Sequence, residues 1–471
     1  SRRQRQMCIR DSYMEGCQNM NRVYFTGISG TNNITLKDCT FDGTDNSAEP
    51  WKKANSCTVY SNAPGSISVE KCDFSNIMAP VNLNNKAAKG TKQNITVNDC
   101  KFTDCSTVYN ETEKLYAAPI RVLSTAGADS SLTVDTCSFT YSTGKSSANG
   151  DILLGEGRVN EPFSYPVEAT ITNTEAEVQV QNPGDRTNEG NNGAVVNVTA
   201  SSQPTYVSNY EAQIGDVKYM TLEEAIQAAK SGDTVTLVKD VILSSQAGDT
   251  KGALTITENI TLDGNGKTIS ANTAVNEFKE KTSMINIQGG AKVTVKDLTI
   301  DSNKIAKHGL NINSAAGENT TVTVENVTVQ DGTGYGVVCN TSTLVVNGLT
   351  TIGNAWGGVN VDTKLDKGTS TVTINNADIK EQNSLYIENA KAENGGSSNT
   401  TINGGTFAGQ VSIQDANGED VDSAKLVINA GKFSPSVDIA DYLAPGKVLN
   451  PDGTVSGSDN PPVTTPVSYT H

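Results

Sequence analysis

Four segments of this chain obey one grammar. Ile34-Thr-Leu-Lys-Asp-Cys-Thr-Phe41, Ile67-Ser-Val-Glu-Lys-Cys-Asp-Phe74, Ile95-Thr-Val-Asn-Asp-Cys-Lys-Phe102 and Leu132-Thr-Val-Asp-Thr-Cys-Ser-Phe139 all read apolar-x-apolar-x-x-Cys-x-Phe. Their cysteines are 33, 28 and 37 residues apart. Later segments keep the pattern with other residues, at 293–300, 322–329, 344–351, 372–379, 400–407 and 426–433. A period of this size marks stacked repeats, each too small to bury its own apolar face.

Each segment is short, β-branched and alternating, which predicts strand rather than helix. The alternation slips by one residue just before the Cys position. That place holds Asp38, Lys71, Asp99, Thr136, Asp297, Asn326, Gly348, Asn376, Gly404 or Ala430. Asp, Asn and Gly dominate there, and they tolerate a left-handed backbone. Each repeat therefore reads as two short strands joined by a sharp corner. Parallel stacking spaces equivalent residues ~4.8 Å apart. Cys39, Cys72, Cys100 and Cys137 should form one internal file, and Phe41, Phe74, Phe102 and Phe139 another. Buried thiols pack as small apolar groups, and no CxxC pair suggests a metal or redox site. Cys105 falls outside that register.

This grammar resembles the right-handed parallel β-helix of pectate-lyase-like proteins, over most of 20–180 and 206–456. The resemblance implies an all-β solenoid built as two tandem modules with one short capping helix. The expected division is a first β-helix at 13–180, truncated at its start, a turn-rich linker at 181–205 and a second β-helix at 206–456. Thr221 and Glu224 form a capping box, Leu222, Ala225, Ile226 and Ala229 an apolar stripe, and Gly232 a helix stop. The opening at 214–233 and the closing at 433–455 resemble repeated modules in large surface proteins of anaerobic Gram-positive gut bacteria. Residues 457–466 read as a Thr/Pro linker. The resemblance implies a secreted or cell-surface location and an adhesin-like scaffold contacting polysaccharide or host-surface glycan. Lyase or glycoside hydrolase activity is the alternative, because one fold hosts many functions.

The two ends are expected to be translated sequencing adapter. Met7 to Asp11 can be coded by a DNA word whose reverse complement encodes Val467 to His471. Residues 1–12 and 467–471 are therefore excluded from fold reasoning, and the reading frame is expected to be cut at both ends. The chain carries −16 at pH 7; without the adapter residues Arg2, Arg3, Arg5, Arg10 and Asp11 it carries 32 basic and 51 acidic residues. An acidic chain lacking a basic cluster is not expected to bind nucleic acid. No apolar run reaches the ~18 residues of a membrane helix. A monomer without cofactor or metal is expected.

The candidate ligand-binding residues are His308, Asp331, Tyr335 and Trp356. His308-Gly-Leu-Asn-Ile-Asn313 aligns with Tyr335-Gly-Val-Val-Cys-Asn340 and Gly357-Gly-Val-Asn-Val-Asp362, so His308 takes a variable corner position. A His-Gly pair also occurs in polygalacturonases, but their Asn-Thr-Asp, Asp-Asp and Arg-x-Lys motifs are missing from this chain. Asp331 and Asp301 fall at similar places in successive repeats, and paired carboxylates bind calcium or do acid/base work. Their bland reading is a solvated acidic turn, as for the acidic stretch 415–422. Tyr335 and Trp356 lie on the edge that carries His308, where flat rings stack on sugar faces or simply seal a loop. Trp51 is equally open to either reading. Asp263-Gly-Asn-Gly-Lys-Thr268 reads as a hairpin or corner turn rather than a phosphate cradle.

Overall fold

The computed structural model describes residues 11–18, 23–25, 31–43, 57–85, 90–107, 118–124, 129–147, 150–155, 166–180, 194–244, 252–273, 282–315, 317–362, 368–389, 396–415 and 423–457. Trp51, the stretch 416–422, residues 458–466 and most of the adapter-like ends lie outside them. The described chain is all-β and dominated by parallel pairing, with one α-helix, Leu222–Ala228. No described helix is long and apolar enough to cross a membrane. The chain divides into two compact units, residues 1–211 with 218–221, and 212–217 with 222–471.

In the first unit, strands one repeat apart in sequence are neighbours in space. Asn32–Lys37, Gly65–Glu70, Lys92–Asn98, Asp129–Asp135 and Val167–Thr172 pair in parallel, so Ile34, Ile67, Ile95, Leu132 and Ala169 share one row. Thr40–Asp42, Asp73–Ser75, Lys101–Thr103 and Ser138–Thr140 form a second parallel sheet. Cys57–Ser61, Ala79–Asn85, Ile120–Ser124, Ile152–Leu154 and Ala176–Val180 belong to a third. The alternate apolar residues of all three sheets enter one core.

Both predicted files exist. Phe41, Phe74, Phe102 and Phe139 stack with centroids 4.8, 5.1 and 5.0 Å apart. The cysteine carbonyls accept from the next repeat in turn: Asp73 N to Cys39 O, Lys101 N to Cys72 O and Ser138 N to Cys100 O, each at 3.0 Å. Cys17 adds a rung, since its carbonyl accepts from Thr40 N at 2.8 Å. Its segment escaped the pattern because Ser12 stands opposite Ile34, where the motif wants an apolar residue. Cys105 faces the same core one corner further on, beside Phe74 O, where Ile77 sits in the preceding repeat. Cys17, Cys39, Cys72, Cys100, Cys105, Cys137 and Cys339 are free thiols.

The corners explain the slip in alternation. Asp38, Lys71, Asp99, Thr136, Asp297 and Asn326 have φ of 51°, 50°, 52°, 54°, 50° and 53°. Gly348, Asn376, Gly404 and Ala430 do not take this conformation, contrary to the sequence expectation. There a side-chain ladder makes the corner: Asn375 Nδ2 donates to Asn347 Oδ1, Asn403 to Asn375 and Asn429 to Asn403, at 2.9, 2.8 and 2.9 Å. These amides hold the turn, and at the last two corners a positive φ falls one residue on, at Gly405 and Gly431.

The first unit closes with reversed strands. Ala194–Val198 pairs antiparallel with Ala176–Val180, and Thr205–Ser208 with Val167–Thr172. The sequence reading assigns this stretch to the linker and the second module; its pairing assigns it to the first unit. Residues 181–193 lie outside the described residues.

The second unit begins with the strand Ala212–Ile214 and continues with the helix Leu222–Ala228, which buries Leu222, Ala225 and Ile226; Ala229 follows, also buried. Gly232, at φ 95°, ends the turn and donates to Asn259 O at 2.7 Å. Two parallel sheets follow. One runs through Thr261–Ala271, Lys292–Asp301 and Thr321–Gln330, continuous strands bent at their left-handed residue. Gly264 to Gly266 form such a bend, where the register shifts between Asp263 and Lys267. The other sheet orders Gly252–Ile256, Ser283–Ile287, Leu310–Asn313, Tyr335–Asn340, Gly357–Asp362, Asn383–Asn389 and Gln410–Asp415. This second sheet carries the candidate site.

Candidate functional site

Alternation decides what this sheet displays. Leu310, Val337, Val359 and Leu385 stand in one row, and Ile312, Cys339, Val361 and Ile387 in another, all at 0% exposure. The residues between them project from the opposite face. That face carries Asn311, Val338, Asn360 and Tyr386 in one row. Asn313, Asn340 and Asp362 lie in the next. Glu388 extends this row, because it follows Ile387, the partner of Val361.

His308, Tyr335 and Trp356 meet at the entry to three successive strands. His308 stacks on Tyr335 at 6.1 Å with 10° between the planes. Trp356 sets its ring edge-on to both, 6.0 Å from His308 and 5.7 Å from Tyr335. Tyr386 continues the file, 6.0 Å from Tyr335 and 29° from parallel. Lys307 Nζ lies 4.5 Å from the Trp356 ring centre, a cation–π contact. Trp356 remains 51% exposed, whereas a ring sealing a loop would be covered.

Two glycines make room for this shelf. A Cβ on Gly334 would stand 2.7 Å from His308 Cε1, and one on Gly357 would stand 3.1 Å from Tyr335 Cε1 and 2.5 Å from Asn383 O. The missing side chains let the rings lie close over the backbone of the next repeat. The segment ahead of Trp356 is pinned by a buried carboxylate. Glu381 accepts from Thr351 Oγ1 at 2.5 Å and from Asn354 Nδ2 at 2.7 Å, while Asn354 Oδ1 accepts from Gly332 N at 2.9 Å. One side-chain network thus ties three repeats together.

The electrostatics are specific. Tyr335 N–H donates to His308 Nδ1 at 2.9 Å, which leaves the proton of the neutral ring on Nε2. Burial, then the neighbouring Lys307 charge, lowers the His308 pKa to about 4, against the opposing contact of Nδ1 with Tyr335 O at 3.3 Å. The ring is therefore uncharged at neutral pH. Burial, then Tyr386, Glu388 and Asp362, pushes the Tyr335 phenol up to about 12. Both carboxylates thus act electrostatically on the Tyr335 ring.

Asp331 stands apart from the rings. It is a left-handed corner residue at φ 56°, with Oδ1 2.7 Å from where a Gly353 Cβ would be. Asp301 accepts from Asn303 N at 2.8 Å and from Gln330 Nε2 at 2.7 Å, as a turn residue does. No group of three or more His, Cys, Asp or Glu able to hold a metal ion occurs among the described residues. Sequence reasoning missed Tyr386, Lys307, Asn354 and Glu381. Aligning 383–389 with 357–362 by its Leu-x-Ile alternation would have found Tyr386. No family model, curated protein or solved structure matches this chain.

Proposed function

We propose that this protein is a secreted or cell-surface scaffold, adhesin-like, whose aromatic shelf holds polysaccharide or host-surface glycan. In this reading each unit is a right-handed parallel β-helix of the pectate-lyase-like architecture, acting as a monomer. Repeat-to-repeat parallel pairing and the internal Phe and Cys files support that architecture. The observation that carries the function is the file of His308, Tyr335 and Tyr386 with the half-exposed Trp356 across it. Such rings hold the apolar face of a sugar. The strand pitch of ~4.8 Å is close to the length of one sugar residue in an extended chain, so neighbouring repeats can meet neighbouring sugars.

The test is affinity electrophoresis of the full chain in gels containing plant, fungal or host-type polysaccharides. The reading expects retardation by at least one polymer and its loss in Trp356→Ala. Equal mobility in every gel removes the carbohydrate role.

A second reading, cleavage of a polysaccharide, has one observation in its favour: Asp362 and Glu388 lie in one row beside the rings. Product release from a retarding polymer, abolished in Asp362→Asn, would establish it.

A further inference from the structure

We infer that the glycan on this shelf carries an isolated acidic sugar, a uronic or sialic acid standing alone on an otherwise neutral chain, and that Lys307 receives its carboxylate; this rests on the carbohydrate role proposed above. Four donors gather where the strands of this sheet begin. His308 has its ring proton on Nε2, because Nδ1 accepts from Tyr335 N at 2.9 Å. Trp356 brings an indole N–H, Tyr335 a phenol O–H and Lys307 an ammonium with three N–H groups. Among the described residues, none of these four side-chain donors has a protein acceptor. Lys307 Nζ rests 4.5 Å from the Trp356 ring centre, and one ring face cannot satisfy three N–H groups.

Tyr386, Asp362 and Glu388 hold further contacts of their own and are not counted with these donors. The two carboxylates also stand elsewhere on the sheet. Asp362 comes five residues after Gly357, the partner of Tyr335, and Glu388 five after Asn383. At ~3.3 Å per residue that is roughly 16 Å of strand. Acceptors for the four donors must then come from the ligand. The faces of Tyr335 and Trp356 take the CH face of a pyranose, and sugar oxygens answer the neutral donors. Lys307 is answered best by an anion, since charge-assisted hydrogen bonds are roughly twice as strong as neutral ones. The rest of the molecule limits how dense that charge can be. At −16 the chain repels a polyanion, and one ammonium neutralises one carboxylate. An acidic sugar flanked by neutral ones meets both conditions, whereas a polyuronate meets only the first.

Full-length protein is titrated at ~0.15 M salt with two acidic glycans and their neutral twins: glucuronoxylan against its carboxyl-reduced form, and a sialylated N-glycan against the same glycan desialylated. The two pairs separate a plant-type uronic acid from a host-type sialic acid, and polygalacturonate forms a fifth arm. The expected result is at least one acidic glycan bound about tenfold or more tighter than its twin, and tighter than polygalacturonate. Lys307→Met should bring the acidic-to-neutral ratio close to one, Lys307→Arg should keep it, and Trp356→Ala should weaken both members of the pair. Neutral twins that bind as tightly as their acidic parents overturn this inference and leave the carbohydrate role standing. So does polygalacturonate as the tightest ligand, or a preference that survives Lys307→Met. Binding in no arm overturns it too, and retardation in the gels described above then decides separately whether the carbohydrate role stands.

Discussion

Thr136 turns a corner at φ 54°, the conformation least suited to a β-branched side chain. Equivalent corners use Asp38 and Asp99, whose short polar side chains tolerate it. Thr136→Asn should therefore stabilise the protein by about 1 kcal/mol, read as a higher urea midpoint. His308 makes the opposite kind of prediction. Its pKa falls from 6.5 in the unfolded chain to about 4 in the fold, so the unfolded state binds the extra proton between those values. The stabilisation is complete above pH 6.5, drains away as pH falls to 4 and changes no further below that. The loss amounts to roughly 3 kcal/mol. Urea midpoints at pH 7.5 and 4.5 should differ more in the wild type than in His308→Gln. At this scale the sequence showed residue types without their surroundings. Three of the four candidate ligand residues meet at the shelf, while Asp331 serves as a corner. Tyr386 was invisible because its place depends on register rather than on its neighbours in the chain.

The apolar-x-apolar-x-x-Cys-x-Phe element repeats because every rung offers the next the same shape. Phe74 lies between Phe41 and Phe102 with interplanar angles of 5°, and it is 1% exposed. Phe74→Ala should cost about 3–5 kcal/mol, from lost burial and the cavity left between two rings, measured as the shift in unfolding free energy. The thiol file makes a chemical prediction. Burial raises the Cys39 and Cys105 thiols to about 11 and 12, which removes the reactive thiolate at neutral pH. Cys72 and Cys137, lowered by the Cys100 hydrogen bond, are shielded by coverage, at 0% and 6% exposure. Cys17, at the end of the file, is only partly covered. Under native conditions iodoacetamide should modify Cys17 before Cys39, Cys72, Cys100, Cys105, Cys137 or Cys339, with the site read by peptide mass spectrometry. Both files were legible in the sequence, since equal spacing and inward alternation leave a parallel stack little choice. The asparagine ladder was not. Asn347, Asn375, Asn403 and Asn429 look like ordinary turn residues until the repeats are superposed.

Across the whole molecule an excess of acidic residues, −16 at pH 7, is spread over repeats that each bury an apolar row. Self-repulsion on that scale opposes compaction and is screened within ~10 Å at 0.1 M salt. Raising NaCl from 10 mM to 200 mM should increase the melting temperature, most simply followed by circular dichroism at the β minimum. Unchanged melting would mean that local pairs such as Lys296–Asp263, at 2.7 Å, already neutralise the surface. Strand type, repeat length, inward rows and the helix Leu222–Ala228 were all legible in the order of residues. Those properties follow from periodicity and local propensity, which a linear string contains in full. Tertiary structure alone decided where the first unit ends, because Ala194–Val198 and Thr205–Ser208 are defined by the strands they pair with. It also decided which rings form the shelf. Tyr386 lies 51 residues from Tyr335 in the chain and 6.0 Å from it in space. Only the register between strands, a property of pairs rather than of residues, brings the two together.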